Sequence, residues 1–183
     1  MSVQSKPRMT VDEFLAWAED RPGRYELLDG EVFAMSPERA RHADIKFAAQ
    51  TALRTAIRNG RLPCRMMPDG MTVRVDRTTA FEPDALVYCG SRVSPDTVEI
   101  ANPIVVVEVL SPSTKAIDSG NKLTGYFRVS SVMHYLIVDP VKRLVVHHRR
   151  GPDLIETRIV SDGALRLDPP GLDVPLADMF DDA

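Results

Sequence analysis

The chain has 183 residues, with 23 Lys and Arg against 26 Asp and Glu for a formal net charge of −3, and it is 44% hydrophobic and 27% charged. These values exclude a disordered or membrane-embedded chain, and the net charge excludes a generally cationic nucleic-acid binder while leaving room for a local basic face. The length suits one domain, residues 1–183, with a core that needs no staples. The longest apolar run falls far short of a bilayer span and Met1 to Thr10 lacks the apolar core of a signal peptide, so no membrane contact and a cytoplasmic address are expected. Cys64 and Cys89 are far apart and lack a paired histidine motif, so both are expected as small buried hydrophobes rather than a disulfide or a zinc site.

In chain order, Thr10 and Glu13 form a capping box ahead of a short helix bearing Phe14, Leu15, Trp17 and Ala18. Tyr25 to Leu28 and Val32 to Met35 flank Asp29-Gly30, a dipeptide suited to a tight hairpin turn. Glu26 lies between apolar neighbours on the first of these strands, so it faces either inwards or towards solvent. From Arg39 to about Asn59, residues Ile45, Ala48, Ala49, Ala52, Leu53 and Ile57 keep helical spacing, and Asn59-Gly60 supplies a stop. His42, near the start of this helix, is a surface or packing residue or a group that touches a phosphate or a site water. Arg39, Arg41, Lys46, Arg54, Arg58, Arg61 and Arg65 crowd this segment against Glu38 and Asp44, giving a basic face or merely a solvated helix side.

Short β segments are expected at Cys64 to Met67 and Met71 to Val75 around the turn Pro68-Asp69-Gly70. The next strand reads Phe81 to Tyr88, with Pro83 marking where pairing begins and leaving Asp84 at the mouth of a cleft. Ile104 to Leu110 is a β-branched run apolar on both faces, as in a central strand, and is broken by Glu108. An ionised carboxylate there must be paired, protonated or given a cation. After the breaker Ser111-Pro112-Ser113, the spacing of Asp118, Lys122 and Tyr126 sets an acid, an amine and a phenol along one stripe of a helix. Val132 to Val138 and Leu144 to His147 read as a hairpin, and Arg158 to Val160 with Ala164 to Leu167 as a last edge hairpin around Asp162-Gly163. His147, His148, Arg149 and Arg150 read as an exposed basic cluster or a charge-protected edge strand.

Asp84 after a proline, Glu108 inside a hydrophobic strand and a nearby lysine together resemble the PD-(D/E)XK nuclease superfamily. More narrowly, the order Tyr25-Glu26-Leu27-Leu28-Asp29-Gly30-Glu31, His42, Pro83-Asp84, Glu108 to Thr114, Asp118, Lys122, Tyr126 and Tyr135 to Pro140 is similar to the Uma family of restriction-endonuclease-like proteins. The resemblance implies an α/β (α+β) fold, a mixed β-sheet core flanked by helices with additional hairpins. It implies Mg2+, with Mn2+ as substitute, bound by Asp84 and Glu108 with Glu26 as a further ligand, and a catalytic set of Asp84, Glu108 and Lys122. His42 and Tyr126 are accessory candidates. Leu110 stands where the superfamily lysine is expected two residues beyond the strand acid, and Lys122 is the natural substitute, reaching back from the helix.

The expected activity is metal-dependent endonuclease cleavage of phosphodiester bonds, with nucleic acid, DNA first, as partner. A homodimer is expected because restriction-like nucleases often pair two sites and because the apolar segment Leu144 to Val146 suits a covered edge. Three other readings stand beside it: a buried Glu108–Lys122 ion pair that only fixes helix to strand; a non-catalytic nucleic-acid or protein-interaction module that keeps the fold, in line with Leu110 and the modest basic charge; and a small-molecule metal hydrolase, for which histidine-rich ligand sets are lacking.

Overall fold

The computed structural model describes residues 8–111 and 118–180. Helix α1 (Val11–Ala18) starts at the capping box: Glu13 N–H donates to Thr10 Oγ1 and Thr10 N–H to Glu13 Oε2, satisfying donors that a helix start leaves open. Strands β1 (Tyr25–Leu28) and β2 (Glu31–Ala34) form the hairpin, turned by Asp29 at φ 49° and Gly30 at φ 80°, two successive left-handed residues as a primed turn requires. Helix α2 (Ala40–Asn59) buries Ile45, Ala49, Leu53 and Ile57 at helical spacing.

Beyond α2 come β3 (Cys64–Pro68), β4 (Val73–Arg74), β5 (Ala80–Phe81) and β6 (Ala85–Cys89). The stretch Phe81 to Tyr88, expected as one strand, is therefore two. Strand β5 joins the four-stranded sheet β2-β1-β5-β4, whereas β6 belongs to a six-stranded sheet. The chain changes sheets at Glu82-Pro83-Asp84, where proline has no N–H to give either ladder. Cys64 and Cys89 stand opposite each other in the β3–β6 register and form a disulfide, which corrects the expectation of two buried thiols; Cys64 is buried and Cys89 exposed.

The main sheet adds β7 (Pro103–Val109), β8 (His134–Asp139), β9 (Leu144–Arg150) and β10 (Ile155–Val160), in the order β10-β9-β8-β7-β6-β3. Strands β7 and β8 run parallel, joined by a crossover through α3 (Asp118–Arg128), and their other neighbours pair antiparallel. Both faces of β7 are covered. Val105, Val107 and Val109 pack in the layer that holds α2, and Val106 packs on the other side with Tyr126 of α3 and Phe81. Mixed sheet, flanking helices and extra hairpins are the expected α+β architecture. No helix among the described residues is long and apolar enough to cross a membrane.

Three expectations about the C-terminal third are corrected. Strand β10 pairs with β9, and β11 (Ala164–Leu167) pairs with β12 (Leu172–Pro175), so the proposed hairpin around Asp162-Gly163 is absent. Leu165, Leu167, Leu172 and Val174 close the α2 side of the core together with Met179 and Phe180 of the short 3-10 helix Ala177–Phe180. Strand β9 is internal, so Leu144 to Val146 offers no free edge for a second subunit, and His147 and His148 are buried rather than exposed. Arg150 is also engaged, donating to the carbonyls of Phe127, Val129 and Val132. Pro112 and Ser113 of the expected breaker, and Thr114 of the family-like stretch, lie outside the described residues.

Candidate functional site

The candidate site forms at the carboxyl end of β7, where five elements bring polar side chains together. Ala85 of β6 pairs with Val107 of β7, so the register continued by one residue sets Asp84 opposite Glu108. By strand alternation Glu108 points to the same side as Val106, towards α3. Asp84 precedes the first paired residue of β6, so its carboxylate turns across the sheet end: Oδ2 accepts from Val109 N–H at 2.8 Å.

Helix α3 returns the lysine that the spacing called for. Lys122 Nζ lies 3.0 Å from Glu108 Oε1 and 3.0 Å from Glu26 Oε1, and Tyr126, one turn later, donates to Glu108 Oε1 at 2.6 Å. The helix gets this close because residue 125 is glycine; a Cβ there would lie 2.5 Å from the Phe81 ring. The same ring faces Lys122 Nζ at 5.8 Å and meets Tyr126 edge-on at 5.4 Å between centroids. Glu26 faces inwards, also accepting from Glu82 N–H at 2.9 Å, which resolves the two orientations open in the sequence. Leu110 is half-buried and packs against the α3-side core, so it offers no charge to the site. The side chain of Asp118 lies outside the described residues.

Helix α2 contributes a second polar group that sequence reasoning largely missed. His42 Nε2 donates to Val109 O at 2.9 Å and lies 3.5 Å from Asp84 Oδ2, while Nδ1 lies 2.9 Å from Glu38 Oε1. Gln50 donates to Asp84 O at 2.8 Å. Lys46, counted with the basic face, is buried: its amine is bonded to Glu38 and lies 2.9 Å from Asp69 Oδ2. Arg24 continues the chain of charges, 2.6 Å from Asp69 and 2.7 Å from Glu82. The signal for this group was present in the spacing His42, Lys46, Gln50, a polar stripe at i, i+4, i+8 beside the apolar one. Arg39, Arg41, Arg54, Arg58, Arg61 and Arg65 are exposed.

Burial dominates the electrostatics. It raises the Glu108 pKa well above the ordinary carboxylate range; Lys122 opposes this, the Asp84 and Glu26 charges add to it, and the Tyr126 hydroxyl opposes it. Burial also raises Asp84, against the Val109 N–H, His42, Lys46 and Lys122. Tyr126 is pushed far up by burial and by Glu108, so its phenol keeps its proton and remains a donor. On Glu38 and Asp69 burial acts upwards but is outweighed by Lys46 with His42 and by Lys46 with Arg24 respectively, which leaves both below the usual range.

Two groups of side chains could hold a cation. The described interactions of Asp84 and Glu108 fall on Oδ2 and Oε1, and these two carboxylates, opposite each other in the register, are hard oxygen ligands. Glu38, His42 and Asp84 also offer ligand atoms within 4.8 Å of one another. There, however, Nε2 is committed to the Val109 carbonyl and Glu38 to Lys46, so an ion would displace existing bonds. Magnesium prefers carboxylate oxygens to an imidazole nitrogen.

Residues 11–177 match the model of the Uma2 family, described as "Putative restriction endonuclease". An uncharacterized protein of Synechocystis sp. is 31% identical over 133 residues, which cover 72% of this chain and 69% of that protein. A second uncharacterized Synechocystis protein is 24% identical over 84% of this chain and 87% of its own length. The fold is similar to the crystal structure of a "putative nuclease belonging to DUF820" from Anabaena variabilis, with a TM-score of 0.71, 17% identity, and 94% of this chain and 97% of that one covered.

Proposed function

The chain belongs to the Uma2 family, and on that premise we propose that it is a divalent-metal-dependent nuclease that hydrolyses phosphodiester bonds of nucleic acid, DNA first. The observation that carries this reading is Lys122, a buried amine shared by Glu26 and Glu108, beside an Asp84 whose backbone register sets it opposite Glu108. Two carboxylates share this one amine, and burial raises the pKa values of Glu108 and Asp84 beside it, an arrangement that stability alone does not favour and that a cation and a phosphate would complete.

Asp84 and Glu108 would hold magnesium, with Glu26 as a further ligand; when bound, the ion would supply charge neutralisation at the phosphate and acidify a coordinated water. The protein's own groups do the rest. Val109 N–H and His42 fix the Asp84 carboxylate, and Tyr126 and Lys122 fix Glu108 by its Oε1 oxygen. Lys122, already oriented by two acids, is a preorganised cation for charge that develops on the phosphate oxygens. Exposed Arg39 and Arg41, at the start of the helix that carries His42, supply backbone-phosphate contacts that make binding salt-dependent. Leu110, apolar where the superfamily carries lysine, favours the inactive-module reading, and the same experiment decides between the two.

Calorimetry with manganese should give binding heat for the parent protein and little for Asp84→Asn, and magnesium-dependent cleavage of plasmid and single-stranded DNA should vanish with it. Equal heats from both proteins would end the metal assignment. Metal binding without cleavage of any DNA or RNA would favour the inactive module.

A further inference from the structure

Strand β10 has β9 on one side and, among the described residues, no strand on the other. In the tight β9–β10 hairpin Gly151 N–H donates to Leu154 O at 2.8 Å. Alternation along the antiparallel ladder then makes Arg149/Glu156 and His147/Arg158 the bonded pairs, and turns the backbone groups of Ile155, Thr157 and Ile159 towards the free edge. The side chains at this edge are not the lysines or prolines that usually discourage pairing. Ile155 is 38% exposed and Ile159 70% exposed, on one face. Glu156 and Arg158 lie on the other, where Glu156 Oε2 is buried without a hydrogen bond, 3.6 Å from its own chain's Arg158 Nη2.

We propose that two copies of the chain pair β10 against β10, antiparallel about Thr157, joining two six-stranded sheets into one. The sequence Ile155-Glu156-Thr157-Arg158-Ile159 is self-complementary in this register and in no neighbouring one. Centred on Thr157, Ile155 faces Ile159 of the second copy, Glu156 faces its Arg158, and Thr157 faces itself. Centring on Glu156 or on Arg158 sets like charges opposite each other, and a half-residue shift sets isoleucine against glutamate or arginine. Cross-strand apolar pairs and opposite charges stabilise a ladder, and like charges directly opposite destabilise it. An isologous two-fold contact uses each pair twice. The Arg158 of the second copy gives the buried Glu156 oxygen the donor that it lacks. This surface differs from the Leu144 to Val146 segment expected from sequence, and it stands independently of the nuclease reading.

Sedimentation equilibrium reads the outcome as mass. The native chain should run at twice its 20.3 kDa, Arg158→Glu should weaken dimerisation by about tenfold or more, and Glu156→Arg should do the same. The double exchange Glu156→Arg with Arg158→Glu should restore the dimer, because each new arginine again faces a glutamate. A native monomer at about 100 µM, a single reversal that leaves the dimer intact, or a double exchange no better than the singles would each overturn the interface. Circular dichroism checks that each variant is folded. Should either reversal fail to fold, Ile159→Lys at the exposed face serves instead, a monomer supporting the interface and a dimer overturning it.

Discussion

The main sheet buries two polar groups of opposite character. At the carboxyl end of β7, Asp84, Glu108, Glu26 and Lys122 meet from four different parts of the chain, and burial raises the pKa values of Asp84 and Glu108. Further along the same sheet, His134 and His147 share a hydrogen bond of 2.9 Å between ring nitrogens, and His134 Nε2 donates to Pro169 O at 2.9 Å. Burial lowers both histidines to about 4, so the pair is neutral at ordinary pH and satisfied by its neighbours. The histidines bond to each other and to a backbone carbonyl, while the acids gather around the amine of Lys122. Burial of titratable groups therefore does not mark a site by itself: it holds the histidines in their neutral form and works against the charge of the carboxylates.

The largest test of that contrast is Lys122→Ala. If the acid cluster is a site, this change should cut magnesium-dependent cleavage by about 100- to 1,000-fold, the usual scale for one transition-state contact, with folding largely intact. If Lys122 instead resembles the histidine pair in being structural, the change strands Glu108 and costs about 3–5 kcal/mol of stability. Cleavage rate and melting temperature on one preparation separate the two; retained cleavage with a large loss of melting temperature would end its catalytic assignment.

The histidine pair yields the next effect. Its folded pKa values lie below the unfolded 6.5, so the unfolded chain binds more protons between these limits. The neutral pair contributes fully above pH 6.5, and this contribution is lost as pH falls towards about 4, at about 3 kcal/mol for the first ring to charge. Melting temperature against pH should fall across this window in the parent and more shallowly in His147→Gln, with cleavage at neutral pH unchanged. An identical slope in both would show that the pair does not report on acid stability.

Tyr126→Phe should have the smallest effect. Lys122 still holds Glu108 Oε1, so removal of one hydrogen bond to the carboxylate should cost about 1.5–3 kcal/mol of stability and leave metal-dependent cleavage within about tenfold. A loss as deep as that of Lys122→Ala would move the phenol from supporting Glu108 into the reaction itself.

Local chemistry was legible in the chain. Thr10 with Glu13, Asp29-Gly30, and the apolar spacing from Ile45 to Ile57 each set a structure within a few residues, because a cap, a turn or a helix face is decided by neighbours. The acid order Asp84, Glu108 and the helical return to Lys122 were legible for the same reason: strand and helix periods fix which side chains share a stripe. What the sequence left open was decided by partners distant along the chain. Glu26 could face either way until Lys122 and Glu82 arrived from other elements, and Lys46 looked like surface charge until Glu38 and Asp69 enclosed it. The split at Pro83, the pairing of β11 with β12, the joining of Cys64 to Cys89 and the burial of His147 likewise depend on which strands become neighbours. Strand pairing is set by the packing of whole layers, so only the tertiary structure determined it.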